Sequence, residues 1–214
     1  MRAVALVVTL IAFLGNAQSA VDAWLSWTAA RAQSIAKGAY VQGRVGGIFD
    51  TRILKTDRSY NYKLAATWMT RDILRATART LQLSERLSDA ETKSLVADAV
   101  AAGDTVVMVE IDPREGSGVI PNDWSAFLQP AMTNGAEART VRGENVPKLR
   151  EVKALAGVLR RNYDYDRFWV VFPLRHPDGA PLFAQDATHA ELVVRIADRE
   201  GRVKWAIPAS FKAP

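Results

Sequence analysis

Two periods of apolar residues run along this chain, and the switches between them mark out its elements. Between Arg71 and about Leu87, the residues Ile73, Leu74, Thr77, Ala78 and Leu81 fall on one stripe with helical spacing. Thr70 stands where such a helix needs an N-cap. A second start follows at once in Ser88-Asp89-Ala90-Glu91, a capping box. There the serine oxygen accepts the glutamate amide and the glutamate carboxylate reaches back to the serine. The predicted helix runs from Asp89 to about Ala102, with Leu95, Val96, Ala99 and Val100 apolar and Gly103 as its stop.

A period of two appears elsewhere. Tyr60, Tyr62 and Leu64 alternate with polar residues, as in a half-buried strand. Thr105 to Ile111 is a β-branched run bounded by Asp104 and Pro113, and Phe168 to Phe172 is a buried-strand run ending at Pro173. Glu191 to Ile196 and Arg202 to Ile207 read as a hairpin joined through Asp198-Arg199-Glu200-Gly201. Within it Val203, Trp205 and Ile207 alternate with Arg202, Lys204 and Ala206, so one face is buried and one wet.

Other stretches give weaker patterns. Val21 to Ala39 reads as a short helix with Asp22 as cap and Gly38 as stop, and Trp24 and Trp27 three apart on one face. Thr51 to Leu54 has strand character, followed by a turn over Thr56 to Ser59. Pro113 to Pro121 is a glycine-containing loop, and Asn122 to Leu128 is one helical turn or irregular chain. Pro130 to Pro147 reads as a flexible loop, with Asn134-Gly135 and Gly143. Lys148 to Arg161 fits a helix through Leu149, Val152, Leu155, Ala156 and Leu159, but Gly157 and the strand-rich surroundings fit extended chain equally well. Pro177-Asp178-Gly179 is a turn.

Strands on both sides of a helical pair, without regular βαβ alternation, predict an α+β fold. The expected architecture is a mostly antiparallel sheet or sandwich with the helical pair inserted at about 70–102. No repeat or linker divides the chain, so residues 21–214 are expected to form a single domain behind a signal peptide at 1–20.

That signal rests on Arg2, on the apolar run Ala3 to Leu14 broken only by Thr9, and on small residues at Ala17, Ser19 and Ala20. The run is too short to anchor the chain, since spanning takes about 20 apolar residues, and no second run of that kind follows. The absence of cysteine removes a lipoprotein anchor, disulfides, thiolate nucleophiles and cysteine-ligated metals. The formal charge of +5 falls to +4 without Arg2 and is spread among acids, so nucleic acid is not an expected partner.

Lys63 to Trp68, the loop Ile111 to Pro121 and the strand Phe168 to Leu174 resemble a group of exported bacterial proteins with no assigned activity. The resemblance covers most of the chain behind the signal. It implies export and a mixed α/β domain, and it brings no chemistry with it.

The loop after Ile111 is the foremost candidate site, because Asp112, Arg114, Glu115 and Ser117 stand beside Gly116 and Gly118, where backbone amides can approach a ligand. It lacks the lysine of a phosphate loop, and Glu115 stands where a nucleophile elbow needs glycine. Asp164 and Asp166 flank Tyr165 at spacing two, which in extended chain sets both carboxylates on one side as an acid–base pair or a hard-cation site. Glu110 or Asp112 on a neighbouring strand would complete that cluster. His176 and His189 have no metal-ligand spacing, and no metal or cofactor is expected. Arg71, Arg75 and Arg79 form a row on one helix, either an anion-binding face or the wet side of an amphipathic helix. Of the tryptophans, Trp169 and Trp205 read as core, while Trp24, Trp27 and Trp124 are candidate surface anchors.

The leading reading is a non-catalytic exported protein that binds a partner such as another envelope protein. The rivals are a hydrolase built on Asp112, Glu115, Asp164 and Asp166, and a carbohydrate- or surface-binding module using exposed tryptophans; Arg114, Ser117 and Trp124 are the candidate ligand-binding residues. Export has a direct test: N-terminal sequencing of the protein from an envelope fraction should find a chain starting between Gln18 and Val21. Recovery from the cytosol with Met1 in place would overturn it.

Overall fold

The structure is a computed structural model that describes residues 22–45, 62–113, 120, 122–131, 139–157, 166–196 and 199–212. In chain order the elements are α1 (Ala29–Gln42), β1 (Tyr62–Trp68), α2 (Arg71–Glu85), α3 (Asp89–Ala101), β2 (Thr105–Pro113), β3 (Ser125–Pro130), β4 (Val141–Arg142), β5 (Glu144–Asn145), β6 (Asp166–Phe172), β7 (His189–Ile196) and β8 (Arg199–Ala206). The strands form two four-stranded sheets, ordered β1-β2-β6-β5 and β4-β3-β7-β8, with every pairing antiparallel. The α+β class, with α2 and α3 as the inserted helical pair, is as the sequence predicts.

Pleat alternation sorts the side chains of the first sheet. Leu64, Ala66 and Trp68 of β1, Val107, Val109 and Ile111 of β2, and Val170 and Phe172 of β6 enter a core shared with Ala126, Leu128, Leu192, Val194, Val203 and Trp205 of the second sheet. The intervening residues Val106, Met108 and Trp169 enter a second core with Ile73 and Leu74 of α2, Ala99 of α3 and Leu149, Ala154 and Leu155. The first sheet therefore lies between the helices and the second sheet, apolar on both faces.

The outer face of the second sheet is closed differently. Val193 is buried there. Arg195 lies over the Phe127 ring at 5.1 Å and donates to Glu200 (2.9 Å), and Arg202 bridges Glu200 and Glu191 (2.7 Å). Their stems shield apolar surface while the heads stay wet. The hydrogen bond from Arg195, foremost, holds the Glu200 carboxyl below the usual carboxylate range.

The α2–α3 connection is as read from the capping box. Ser88 Oγ accepts from Glu91 N–H (3.3 Å), and the Glu91 carboxylate accepts from Ser88 N–H (2.7 Å) and from the Ser88 hydroxyl (2.6 Å). These bonds, the hydroxyl's first, lower the Glu91 pKa. Ile73, Leu74, Thr77 and Ala78 are buried as the stripe requires, but Val100 is 43% exposed because α3 presents only Thr92 and Ala99 fully inward. Thr70 holds the N-cap position of α2 without a side-chain capping bond.

Several expectations are corrected. The N-terminal helix does not start at Asp22 or stop at Gly38: residues Ala23–Ser26 form a 3-10 turn, and α1 starts behind Thr28, whose hydroxyl accepts from Arg31 N–H (3.2 Å). Asp22 instead pairs with Lys93 of α3 (2.5 Å). The helix passes through Gly38 and ends at Gly43, whose carbonyl accepts from Ala66 N–H of β1 (2.8 Å). Asn122 to Leu128 is not a helical turn but leads into strand β3. Lys148 to Arg161 is neither helix nor strand over its described part: Pro147–Glu151 and Lys153–Leu155 are two 3-10 turns separated by extended Val152, and Trp169 Nε1 donates to Leu155 O (2.9 Å) to hold the second on the sheet. The predicted strand at Thr51 to Leu54 lies outside the described residues.

The predicted loop Pro130 to Pro147 contains the most consequential feature. Its residues 141–145 form one short strand that leaves the second sheet and joins the first, pairing with β3 as β4 and with β6 as β5. The switch occurs at Gly143, whose N–H still donates to Ala126 O of β3 (2.9 Å), while Val146 N–H already donates to Trp169 O of β6 (2.8 Å). A Cβ on Gly143 would lie 2.3 Å from Val170 Cγ1 and 2.6 Å from Phe172 Cε1, inside their van der Waals radii. Only glycine passes that close to a packed core.

Two glycine substitutions should therefore act with opposite sign. Gly143→Ala is expected to destabilise the protein by about 1–3 kcal/mol through overpacking. Gly38→Ala has nothing within 4 Å of the new Cβ in the interior of α1 and should stabilise by about 0.5–1 kcal/mol. Urea midpoints of both variants against the unaltered chain check this.

Candidate functional site

Of the residues singled out from the sequence, Arg114, Glu115, Ser117 and Asp164 lie outside the described residues. Asp112 sits near the end of β2, opposite Lys63 of β1 in the register. Asp166 opens β6 opposite Ile111 and is exposed. Trp124 precedes β3, half-buried, its ring centroid 4.7 Å from that of Phe168 and inclined by 57°.

Glu110 does not join Asp166. It is the register partner of Arg167, on the helix-facing side of the first sheet, whereas Asp166 shares the other face with Phe168. Glu110 is fully buried and accepts from Arg167 Nε at 3.2 Å. His176 is buried in the Arg175 to Ala180 turn, and His189 is exposed beside Thr188. Among the described residues no three His, Asp, Glu or Cys side chains are placed to hold a metal ion.

The candidate surface features also resolve. Trp24 is buried, and Trp27 is half-buried under Arg31 at 5.2 Å. Two of the three arginines in the row are engaged locally: Arg79 Nε donates to Trp27 O (2.8 Å) and its Nη1 to Gln82, while Arg75 pairs with Asp72 (3.4 Å).

Two clefts among the described residues are large enough for a small ligand. One, of about 830 Å³, runs between α1 and α2 beside Lys153 and Gly157. Thr77, Thr80 and Ser84 donate their hydroxyl protons to carbonyls of the preceding helical turn and Lys153 pairs with Glu85 (2.9 Å), while Gln33, Ser34 and Lys37 line the α1 side. The second, of about 490 Å³, opens at the corner where the chain crosses between sheets. Trp124, Ser125 and Asn122 line it from the β3 side, and Arg142, Glu144 and Asn145 line it from the crossing strand.

The corner cleft follows from the crossing itself. At Gly143 the chain passes from the edge of β3 to the edge of β6, and the cleft opens beside that crossing. Phe168 and Val170 continue the core up to the gap, and Trp124 packs on Phe168 at its edge. Arg142 and Glu144 flank the glycine, one in each sheet. Among the described residues the side chains of Asn122, Ser125, Arg142, Glu144 and Asn145 make no hydrogen bond or ion pair with one another or with the rest of the protein. Arginines elsewhere on the sandwich surface, such as Arg139, Arg195 and Arg202, are paired. The corner is thus a rigid aromatic edge surrounded by uncommitted donors and acceptors.

Sequence reading picked out Trp124 but missed the five polar partners. The signal was present in Val141-Arg142-Gly143-Glu144-Asn145-Val146, where a glycine interrupts a short strand pattern, a mark of a bend or close backbone approach. Comparison with known proteins finds no matching family model, no matching curated protein and no matching solved structure.

Burial sets the energetic weight of the charges around these sites. Arg167 keeps 31% of its side chain exposed while Glu110 has none, so Arg167→Ala is expected to cost about 3 kcal/mol by weakening the compensation of a buried carboxylate. Arg202→Ala removes a pair whose arginine is 51% exposed and should cost under about 1 kcal/mol. Chemical denaturation of the two variants measures the difference.

Proposed function

We propose that the protein is an exported, non-catalytic binding protein that holds a small polar ligand in the corner cleft. The observation that carries this reading is the set of uncommitted polar side chains gathered around the half-buried ring of Trp124. There hydrogen-bonding groups and an aromatic ring border one cleft, so the corner offers both to another molecule.

The surface and the chemistry point the same way. Val41, Leu83 and Val100 are the exposed large apolar side chains among the described residues, and they stand on three different helices. Stable docking of a folded envelope protein calls for a contiguous apolar patch of several hundred Å². Among the described residues the corner cleft is lined by one carboxylate, Glu144, whereas acid–base hydrolysis works through two ionisable groups of opposite role. Export rests on the N-terminal apolar dozen and its small-residue border.

The test is a thermal melt of the protein with the dialysable small-molecule fraction of an envelope extract. A ligand at ten times its Kd stabilises by about 1.4 kcal/mol, a rise of roughly 3–6 °C for a chain of this size. The unaltered protein should show it, and the Arg142→Ala/Asn145→Ala variant should not. A rise of equal size in both would move the site elsewhere, and no rise in either would overturn the reading.

A further inference from the structure

Resting on the corner cleft as the ligand site, we infer that its occupant is an uncharged saccharide ring, presented as one unit of a glycan chain. The aromatic component is the first ground. Trp124 is held against Phe168 at 4.7 Å, so the ring that borders the cleft is a fixed plate. The face of an indole is electron-rich and attracts the polarised C–H bonds on one side of a pyranose ring.

The polar groups supply the second ground. Arg142, Glu144, Asn122 and Asn145 each end in a planar fork that offers two atoms in one plane. Arg142 donates twice, Glu144 accepts twice, and each amide does one of each. Neighbouring hydroxyls on a sugar ring donate and accept from adjacent carbons, which is the complement of such forks. A ligand of only donors or only acceptors would leave half of them unmatched.

Charge supplies the third. Among the described residues Arg142 and Glu144 are the ionised groups lining the cleft, and their formal charges cancel. An anionic ligand that reaches Arg142 also meets Glu144, and a cationic one meets the reverse, so a neutral ring is favoured over a uronate, a nucleotide phosphate or a polyamine. The cleft is open at the surface and about 490 Å³ in volume, within the range of small-ligand sites. It receives one ring without requiring that the chain end there.

Isothermal titration calorimetry of the purified protein tests this with neutral cello-, malto-, xylo- and chito-oligosaccharides. Galacturonate oligomers, adenosine and free amino acids represent the other ligand classes. At least one neutral series should bind. Asn145→Ala should weaken it about threefold to tenfold, the loss of one ordinary hydrogen bond, and Arg142→Ala about tenfold or more. Trp124→Phe keeps an aromatic plate and should weaken binding less than Trp124→Ala. Should Trp124→Ala fail to fold, the exposed Arg142 and Asn145 variants still decide the matter. Binding of a control ligand but of no neutral saccharide, with the same sensitivity to Arg142 and Asn145, overturns the saccharide and leaves the cleft as a ligand site. Saccharide binding indifferent to all these variants overturns both, as does the absence of any binding.

Discussion

Strands β2 and β6 run through the middle of the molecule with apolar side chains on both faces, and the rest of the fold is arranged to keep both faces dry. On one side Val107, Val109, Val170 and Phe172 meet the second sheet; on the other Val106, Met108 and Trp169 meet α2, α3 and the two 3-10 turns. A chain without cysteine has no cross-link to hold layers together, so burial must do it. Each layer covers what the next exposes. Trp169 shows how the layers are tied: its ring lies in the helix-side core while its Nε1 donates to Leu155 O, so the connection that leads back to β6 is fastened to the strand it precedes.

This double burial explains which parts of the fold can be read from the sequence. Val106 to Val109 and Phe168 to Phe172 are continuous apolar runs because neither face is wet, and the hairpin ending in Val203, Trp205 and Ile207 alternates because one face is. The capping box at Ser88 is legible because both its bonds are made within four residues. What could not be read depends on partners distant in sequence. The end of α1 is set by Ala66 N–H bonding to Gly43 O, twenty-odd residues away, and not by the nearer Gly38. The 3-10 turns at Pro147–Glu151 and Lys153–Leu155 owe their position to Trp169, so local helical spacing there was a poor guide.

The candidate site divides along the same line. Trp124 is recognisable as a large aromatic in an irregular segment, whatever the fold. Arg142, Glu144 and Asn145 carry no local mark of function; they come together with Trp124 only because their strand leaves one sheet for the other between them. Residue spacing gave Glu110 and Asp166 as neighbours, and the register does place them on adjacent strands one position out of step. The pleat then sends them to opposite faces, Glu110 into its pair with Arg167 beneath the helices and Asp166 toward the sandwich side. Spacing in sequence cannot supply that parity, because it depends on how two strands are aligned.

Gly143 links the architecture to the proposed chemistry. A strand that crosses between layers must come close to the core it bridges, and Val170 and Phe172 leave no room for a side chain at the crossing. The same crossing borders a gap, with an aromatic ring on one side and polar side chains on the other. Neither the aromatic ring nor the crossing strand needs to move for that gap to exist: Trp124 is braced by Phe168, and the crossing strand is bonded to both sheets through Gly143 and Val146. A site formed this way has its backbone ordering cost met by folding, so a ligand entering it gives up little more than its own freedom and that of a few surface side chains. That is the property of a binding surface, and it arises here from one glycine where two sheets share a strand.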